Sequence, residues 1–328
     1  MLNPMAGRDI RRLVAFASLQ STPEKLQVVR RILSGIAVFA DQVDVLMPED
    51  YEGLTHVLRD EARRLFGLSV ELVGAPGGPS SADTTVRSAR ELVDAGAELL
   101  IAIGGDGTQR NVAQAEPKVP VLPVAGGTNN VACWVGDQTV AGFAAGSYVM
   151  DPGRYQEQLF VAKVLHLTRG SGSSSMEDLA LIDVALVRQT FTGALAVWNP
   201  EDVVQLWLAV ADPVRPGLSN LGGQVCPVAP EEDALTWLQL GTGDQVAYGA
   251  LAPGMMAKFL VDRHQKIPLN QEILIQTPEN GGSLALDGER TLVLSPCETV
   301  TLVARRDGPR YLFPQRILNR GTLTRTLS

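Results

Sequence analysis

Cysteine is scarce in this 328-residue chain: Cys133, Cys226 and Cys297 stand far apart and are odd in number. That excludes a disulfide framework and a cysteine zinc site, and it fits a reducing cytoplasm. Basic residues are outnumbered, 28 Lys and Arg against 36 Asp and Glu, for a net charge of −8. Without a basic stripe, neither nucleic acid nor an anionic membrane is expected as the main partner. A phosphate site must then draw on backbone N–H groups and a few local arginines. His56, His166 and His264 lie apart, with no two at metal-ligand spacing, and each reads more readily as a surface or core residue than as a ligand. Trp134, Trp198, Trp207 and Trp237 are scattered and read as core. No apolar run approaches the roughly 18 residues of a membrane span. Leu13 to Leu19 is too short for a signal-peptide core and follows a charged segment. There is no G-x-x-x-x-G-K-[ST], which excludes a P-loop enzyme, and no G-x-G-x-x-G opening a helix after a strand, which excludes the dehydrogenase fingerprint.

What is present is enough apolar sequence, 45% of residues, to core two domains. The chain is organised around Leu99 to Thr108: an apolar strand-length run, then Gly104-Gly105-Asp106-Gly107-Thr108, then a helix-compatible segment to Ala115. Glycines at the carboxyl end of a strand allow a sharp turn and a close ligand approach. The N–H groups of the following helix start make an anion site. A carboxylate there repels phosphate unless it handles a hydroxyl proton or a metal ion, so Asp106 points to phosphoryl transfer.

Around this stretch strands and helices alternate. Met1-Leu2-Asn3-Pro4-Met5-Ala6-Gly7-Arg8 reads as a strand-to-helix turn with only two residues ahead of it, so the first strand is expected to be truncated or to start upstream. Asp9 to Gln20 reads as a helix, and Ser21-Thr22-Pro23-Glu24 starts another whose stripe is Leu26, Val28, Val29, Ile32 and Leu33. Val43–Met47, Ser69–Val73, Leu99–Ile103 and Val119–Val124 read as strands. Tyr51–Phe66 and Ser81–Ala95 read as helices, and Val131–Val135 as the beginning of a further one. Residues 1–141 thus read as a doubly wound parallel α/β sheet, whose ligands belong at the carboxyl ends of its strands. From 142 to 305 short strand-like runs dominate, interrupted by an expected helix over Pro200–Ala211 and a flexible Gly170–Ser175 loop, so this part reads as a β-rich second domain.

Four motifs carry chemistry together: Asn3-Pro4-Met5-Ala6-Gly7, Gly104 to Thr108, Gly127-Thr128-Asn129-Asn130, and Leu286-Asp287-Gly288-Glu289. Each alone also suits a plain turn. In this order they resemble the NAD kinase and diacylglycerol kinase superfamily, and the chain looks most like its ATP-NAD kinase-like proteins of acetoin catabolism. The resemblance covers nearly the whole chain: an α/β domain, a β-sandwich, and a C-terminal return, about 306–328, to the first domain.

The resemblance implies roles residue by residue. Gly104, Gly105, Gly107 and Thr108 would hold ATP phosphates, Asn3 and Gly7 would line the nucleotide side, and Gly127, Thr128, Asn129 and Asn130 would contact nucleotide or acceptor. Asp106 would bind or deprotonate the acceptor hydroxyl. Asp287 and Glu289 match the lipid kinases' Asp-Gly-Glu, with a base or metal-linked role. Asp183 falls where NAD kinases carry the Glu of an Asn-Glu pair that binds the dinucleotide, although Ile182 replaces the Asn. Ser219, Gly222 and Gly223 fall at an acceptor-site segment, although the Gly-Ser-Thr-Ala-Tyr element expected before it is replaced by Ala211 to Arg215. The implied activity is an ATP-dependent kinase, with Mg²⁺ on the triphosphate and NAD as acceptor, in a cytoplasmic homo-oligomer without stable membrane association. Two alternatives stay open: a lipid or other small-alcohol kinase, and a nucleotide-binding accessory protein of acetoin catabolism without turnover.

Overall fold

The computed structural model describes residues 1, 22–75, 81–127, 130–170, 175–188, 200–288 and 290–321. The helix expected over Asp9–Gln20, most of the Gly170–Ser175 loop and Trp198 lie outside the described residues.

The apolar stripe of α1 (Thr22–Ile36) buries Val28, Val29, Ile32, Leu33 and Ile36. After it come β1 (Val45–Pro48), α2 (Leu54–Phe66) and β2 (Val70–Val73), and the two strands pair in parallel. Next, α3 (Ala82–Asp94) starts at a capping box: the Ser81 hydroxyl accepts from Thr84 N, and Ser81 N donates back to Thr84 Oγ1 at 2.7 Å. β3 (Leu100–Gly104), α4 (Asp106–Gln114) and β4 (Val121–Ala125) follow, and β3 pairs with β4 in parallel. The strand expected over Val119–Val124 is therefore present with shifted ends. The helix expected from Val131 is not, because the Val131 and Ala132 N–H groups are drawn to the Asp106 carboxylate and Trp134 N bonds back to Pro123 O. α5 (Gln138–Met150) begins only after Asp137, whose carboxylate accepts from Thr139 N and Val140 N.

α5 runs across position 141 and packs on α1 in the core of the parallel layer. The two helices approach through glycine. A methyl group on Gly142 would stand 2.0 Å from Ile32 O, and one on Gly35 2.1 Å from Thr139 O. Gly142→Ala is expected to cost about 2–3 kcal/mol through overpacking, read as a lower urea midpoint at unchanged m-value.

Among the described residues the remaining strands, apart from two short ones, form two antiparallel sheets. β8 (Asp183–Val187), β9 (Val203–Leu208), β10 (Ala234–Ala252), β11 (Met255–Pro268), β13 (Gly282–Leu286) and β14 (Arg290–Leu294) make a six-stranded sheet of order β11-β10-β9-β8-β13-β14. β6 (Val164–Arg169), β7 (Met176–Ala180), β12 (Glu272–Gln276) and β15 (Thr299–Arg305) make a four-stranded one. Leu165, Leu167, Val184, Leu186, Trp207, Leu284, Val300 and Leu302 fill the space between them. The far face of the larger sheet, with Ala185, Val187, Leu206 and Leu208, is covered by Leu218 and Leu221 of α6 (Leu218–Val225).

The helix expected over Pro200–Ala211 is thus a correction. Apart from a short 3-10 turn at Pro200–Asp202, this segment supplies the strand β9, which pairs with β8 and β10. Its apolar residues face both cores, which mimics helical spacing. The long strand β10 carries a bulge between Leu240 and Gln245. The bulge bends at Gly241, whose φ is +112°.

Two adjacent crossings join the layers. β5 (Phe160–Val161) and β16 (Arg310–Tyr311) extend the parallel sheet to the order β3-β4-β16-β5. Between them Ala162 N bonds to Pro309 O and Gly308 N to Ala162 O. Lys163, 3% exposed, donates to the carbonyls of Ala229, Glu232 and Ala234, and burial pushes its ammonium down to about 8. Arg306 grips the same loop through Pro230 O, Glu231 O, Glu232 O and Asp233. α7 (Pro314–Leu318) then returns to the core that holds α5.

Candidate functional site

The glycine turn after β3 is held by contacts that only glycine allows. A methyl group on Gly104 would lie 2.3 Å from Thr108 Oγ1, and one on Gly126 would press on the Gly104 backbone, where Gly126 N already bonds to Gly104 O at 3.0 Å. α4 follows with Gly105 at its N-cap in an extended conformation, so the N-cap residue itself offers no side-chain cap to the start of the helix. The next strand end, after β4, closes on itself: Asn130 Oδ1 accepts from Gly127 N, and Asn130 Nδ2 donates to Gly127 O. These two strand ends lie side by side because β3 and β4 are neighbours in register, Gly104 opposite Ala125.

Asp106 is 3% exposed. Its Oδ2 accepts from Val131 N at 3.1 Å and its Oδ1 from Ala132 N at 2.8 Å. The Cys133 thiol beneath donates to Gly104 O. Asp106 therefore locks the segment after β4 against the glycine turn.

Asp287 repeats the device in the second layer. It sits at the β13–β14 turn with a left-handed φ of +51°, which Asp tolerates better than most residues. Its carboxylate accepts from Leu181 N, Ile182 N and Asp183 N, at 2.7 Å from Ile182. Burial pushes the Asp287 carboxyl up, opposed by the Arg110 guanidinium and then by these three N–H groups. Ala132, held by Asp106, and Leu181 and Ile182, held by Asp287, meet Ala113 of α4 in one buried apolar cluster. The two carboxylates thus clip the two sides of a single seam between the layers.

Arg110 and Tyr311 complete the seam, and neither was singled out from the sequence. Arg110, on α4, is 6% exposed. Its Nη2 donates to Asn111 Oδ1, while its Nε and Nη1 have no hydrogen-bond partner among the described residues. The Tyr311 phenol is raised well above its ordinary value, first by burial and then by the charges of Cys133, Asp106 and Asp287. An arginine inside a helix reads as solvent-facing, and a tyrosine near the chain's end as ordinary core; no sequence signal marked either.

The other expected site residues divide. Gly104, Gly105, Asp106, Gly107, Thr108, Gly127 and Asn130 come together at the strand ends of the parallel sheet, and Asp183 lies beside Asp287 across a backbone pair, Asp287 N to Asp183 O. Ser219 is fully buried on α6, donating to Val210 O and accepting from Asp212 N. Gly222 and Gly223 fit against Leu208 and Pro213, where a methyl group would clash. From the loop before α6, Arg215 reaches Asn130 O at 3.4 Å and so connects that segment to the strand end after β4. Asn3, Gly7, Thr128, Asn129 and Glu289 lie outside the described residues.

A family described as ATP-NAD kinase N-terminal domain matches residues 20–135, and one described as acetoin catabolism protein X C-terminal domain matches residues 163–307. Acetoin catabolism protein X of Cupriavidus necator is 32% identical over 309 residues, covering 92% of this chain and 85% of that protein. Among solved structures, yeast NADH kinase complexed with NADH superposes with a TM-score of 0.53 at 13% identity, covering 94% of this chain and 88% of that one. At that identity the likeness is one of fold.

Proposed function

This chain belongs to the acetoin catabolism protein X family of the NAD kinase and diacylglycerol kinase superfamily, and from that premise we propose that it transfers a phosphoryl group from ATP to an acceptor hydroxyl, the adenosine 2′-hydroxyl of NAD. The observation that carries this reading is the glycine turn that opens α4, with glycine at the N-cap, beside a buried carboxylate. Such a turn suits phosphates, because backbone N–H groups bind them without a large basic patch. The nucleotide would be held by Gly104, Gly105, Gly107, Thr108 and Gly127, in the part of the chain before 141 and after 306. Mg²⁺ would be carried on the phosphates. Bound Mg-ATP supplies the phosphoryl group and neutralises much of its charge.

The protein's own part is positioning. Asp106 is fixed by two backbone N–H groups; it would orient the acceptor hydroxyl and take its proton. Asp183, with the segment carrying Ser219, Gly222 and Gly223, would shape the acceptor side within 142–305. Incubation with Mg-ATP and NAD, coupled to an NADP-requiring dehydrogenase, tests the reading: NADP should form with the wild type.

One observation favours a second reading, a nucleotide-binding accessory protein without turnover. Both oxygens of Asp106 and of Asp287 already serve backbone N–H groups. A thermal shift with ATP but no ATP consumption across a panel of alcohols would support that reading.

A further inference from the structure

The Arg110 guanidinium is buried, 6% exposed, and carries a charge that no carboxylate answers with a hydrogen bond. Its Nη2 donates to Asn111 Oδ1 at 3.2 Å, while Nε and Nη1 are buried without a partner among the described residues. All three nitrogens are thus accounted for. Asp287 feels the Arg110 charge, which opposes the rise of its carboxyl, but both Asp287 oxygens accept from backbone N–H groups. A buried donor without an acceptor is costly, the more so when it is charged. In a native protein such a donor answers to a water, an ion or a catalytic task.

The helix aims this side chain into the seam. Asp106, Arg110 and Ala113 follow one another at spacings of four and three residues, so they share one face of α4. On that face Asp106 binds Val131 N and Ala132 N, and Ala113 packs with Ala132, Leu181 and Ile182. Arg110 lies between them, about 6 Å along the helix axis from Asp106. The glycine turn lies one helical turn before it. With a net charge of −8 the chain as a whole does not draw anions in, so a cation here acts locally. A water would satisfy the two unpartnered donors and leave the charge unmatched, whereas an oxyanion does both.

We propose that Arg110 is the side chain of an oxyanion site at this seam, and that its ligand is a phosphate oxyanion whose oxygens accept from Nε and Nη1. The site stands on the orphaned guanidinium; the identity of the oxyanion as the phosphoryl group passed to the acceptor rests on the function proposed above. The backbone N–H groups at the start of α4 hold phosphate on the nucleotide side. Arg110 stands one turn further on, towards Leu181 and Ile182 of the second layer, and meets the phosphoryl group on its acceptor side. There the guanidinium neutralises charge in a water-poor setting, where a fixed donor counts most. Arg110 therefore acts on turnover more than on nucleotide affinity.

The probe is inorganic phosphate, titrated against chloride at constant ionic strength into the full chain with isotopically labelled arginine, followed by NMR. Saturable binding should move the Arg110 Nε–H resonance of the wild type, identified by its loss in Arg110→Lys. Arg110→Met should bind phosphate at least about tenfold more weakly. Arg110→Lys, which keeps the charge without the planar fork, should fall between the two. In the NADP assay Arg110→Met should lower kcat at least about a hundredfold, with KM for ATP within about threefold, and Arg110→Lys should restore part of kcat. A wild-type Nε–H resonance that ignores phosphate overturns the proposal, even where Arg110→Met does not fold, because the unpartnered donors then serve a water. Equal phosphate affinity in wild type and Arg110→Met overturns it too. A wild type that binds phosphate through Arg110 but forms no NADP removes the NAD kinase reading and leaves the oxyanion site standing. NADP formed by Arg110→Met at the wild-type kcat overturns the phosphoryl role.

Discussion

Asp287→Ala is expected to destabilise the protein by about 4 kcal/mol, lowering Tm by about 10 °C. The change removes the acceptor for three buried N–H groups, from Leu181, Ile182 and Asp183. It leaves the Arg110 guanidinium buried without the Asp287 charge that it favours. It also puts alanine where φ is +51°, a left-handed conformation that costs a residue with a Cβ about 1–2 kcal/mol. Asp287→Asn keeps the turn and one acceptor oxygen, so it should lose less than half as much. Adding Arg110→Met to Asp287→Ala should recover part of the loss, because the uncompensated charge goes too. A double-mutant cycle by urea unfolding measures this coupling. Strictly additive losses would mean that Arg110 and Asp287 do not act on each other.

Asp106→Asn is expected to lower NADP formation by about 10³-fold, while ATP binding, followed by thermal shift, stays within about threefold. The asymmetry follows from what holds each partner. The proposed phosphate contacts are backbone N–H groups, which the substitution leaves in place. The acceptor hydroxyl would lose the carboxylate that orients it and takes its proton. One amide nitrogen would also face the N–H of Val131 or Ala132, at a cost of about 1–3 kcal/mol to local stability. A variant that still binds ATP and has lost turnover supports the division of roles. Lost ATP binding would move Asp106 into the nucleotide site, and undiminished turnover would remove it from the chemistry.

The Gly104–Thr108 turn was legible in the sequence because its physics is local. A strand's carboxyl end, two glycines and a helix start occupy consecutive positions, and the structure has β3 and α4 there. The capped start of α3 was legible for the same reason. What escaped was set by distant partners. Asp106 meets Ala132 across 26 residues, and Asp287 meets Leu181 across 106, so no spacing announces that each carboxylate clips a backbone segment. The stretch after Asn130 has apolar residues suited to a helix, but its first N–H groups are claimed by Asp106. The segment at Val203–Leu208 is apolar on both sides because it lies between two cores, and that burial overrides the helical reading. Arg110 was invisible because its setting is a seam that exists only once both layers are in place.

The position of β16 bears on how this protein is made. Arg310 follows Ala125 by 185 residues, yet its strand lies directly beside β4 and between β4 and β5. On the ribosome, at about 5–20 residues per second, the edge of β4 waits roughly 10–40 seconds for its neighbour. Every strand of both antiparallel sheets emerges in that interval. The nascent chain therefore has every strand of its later-made half before the last strand of its earlier one, and the nucleotide-binding half proposed here depends for that strand on a segment made after the whole of the other half.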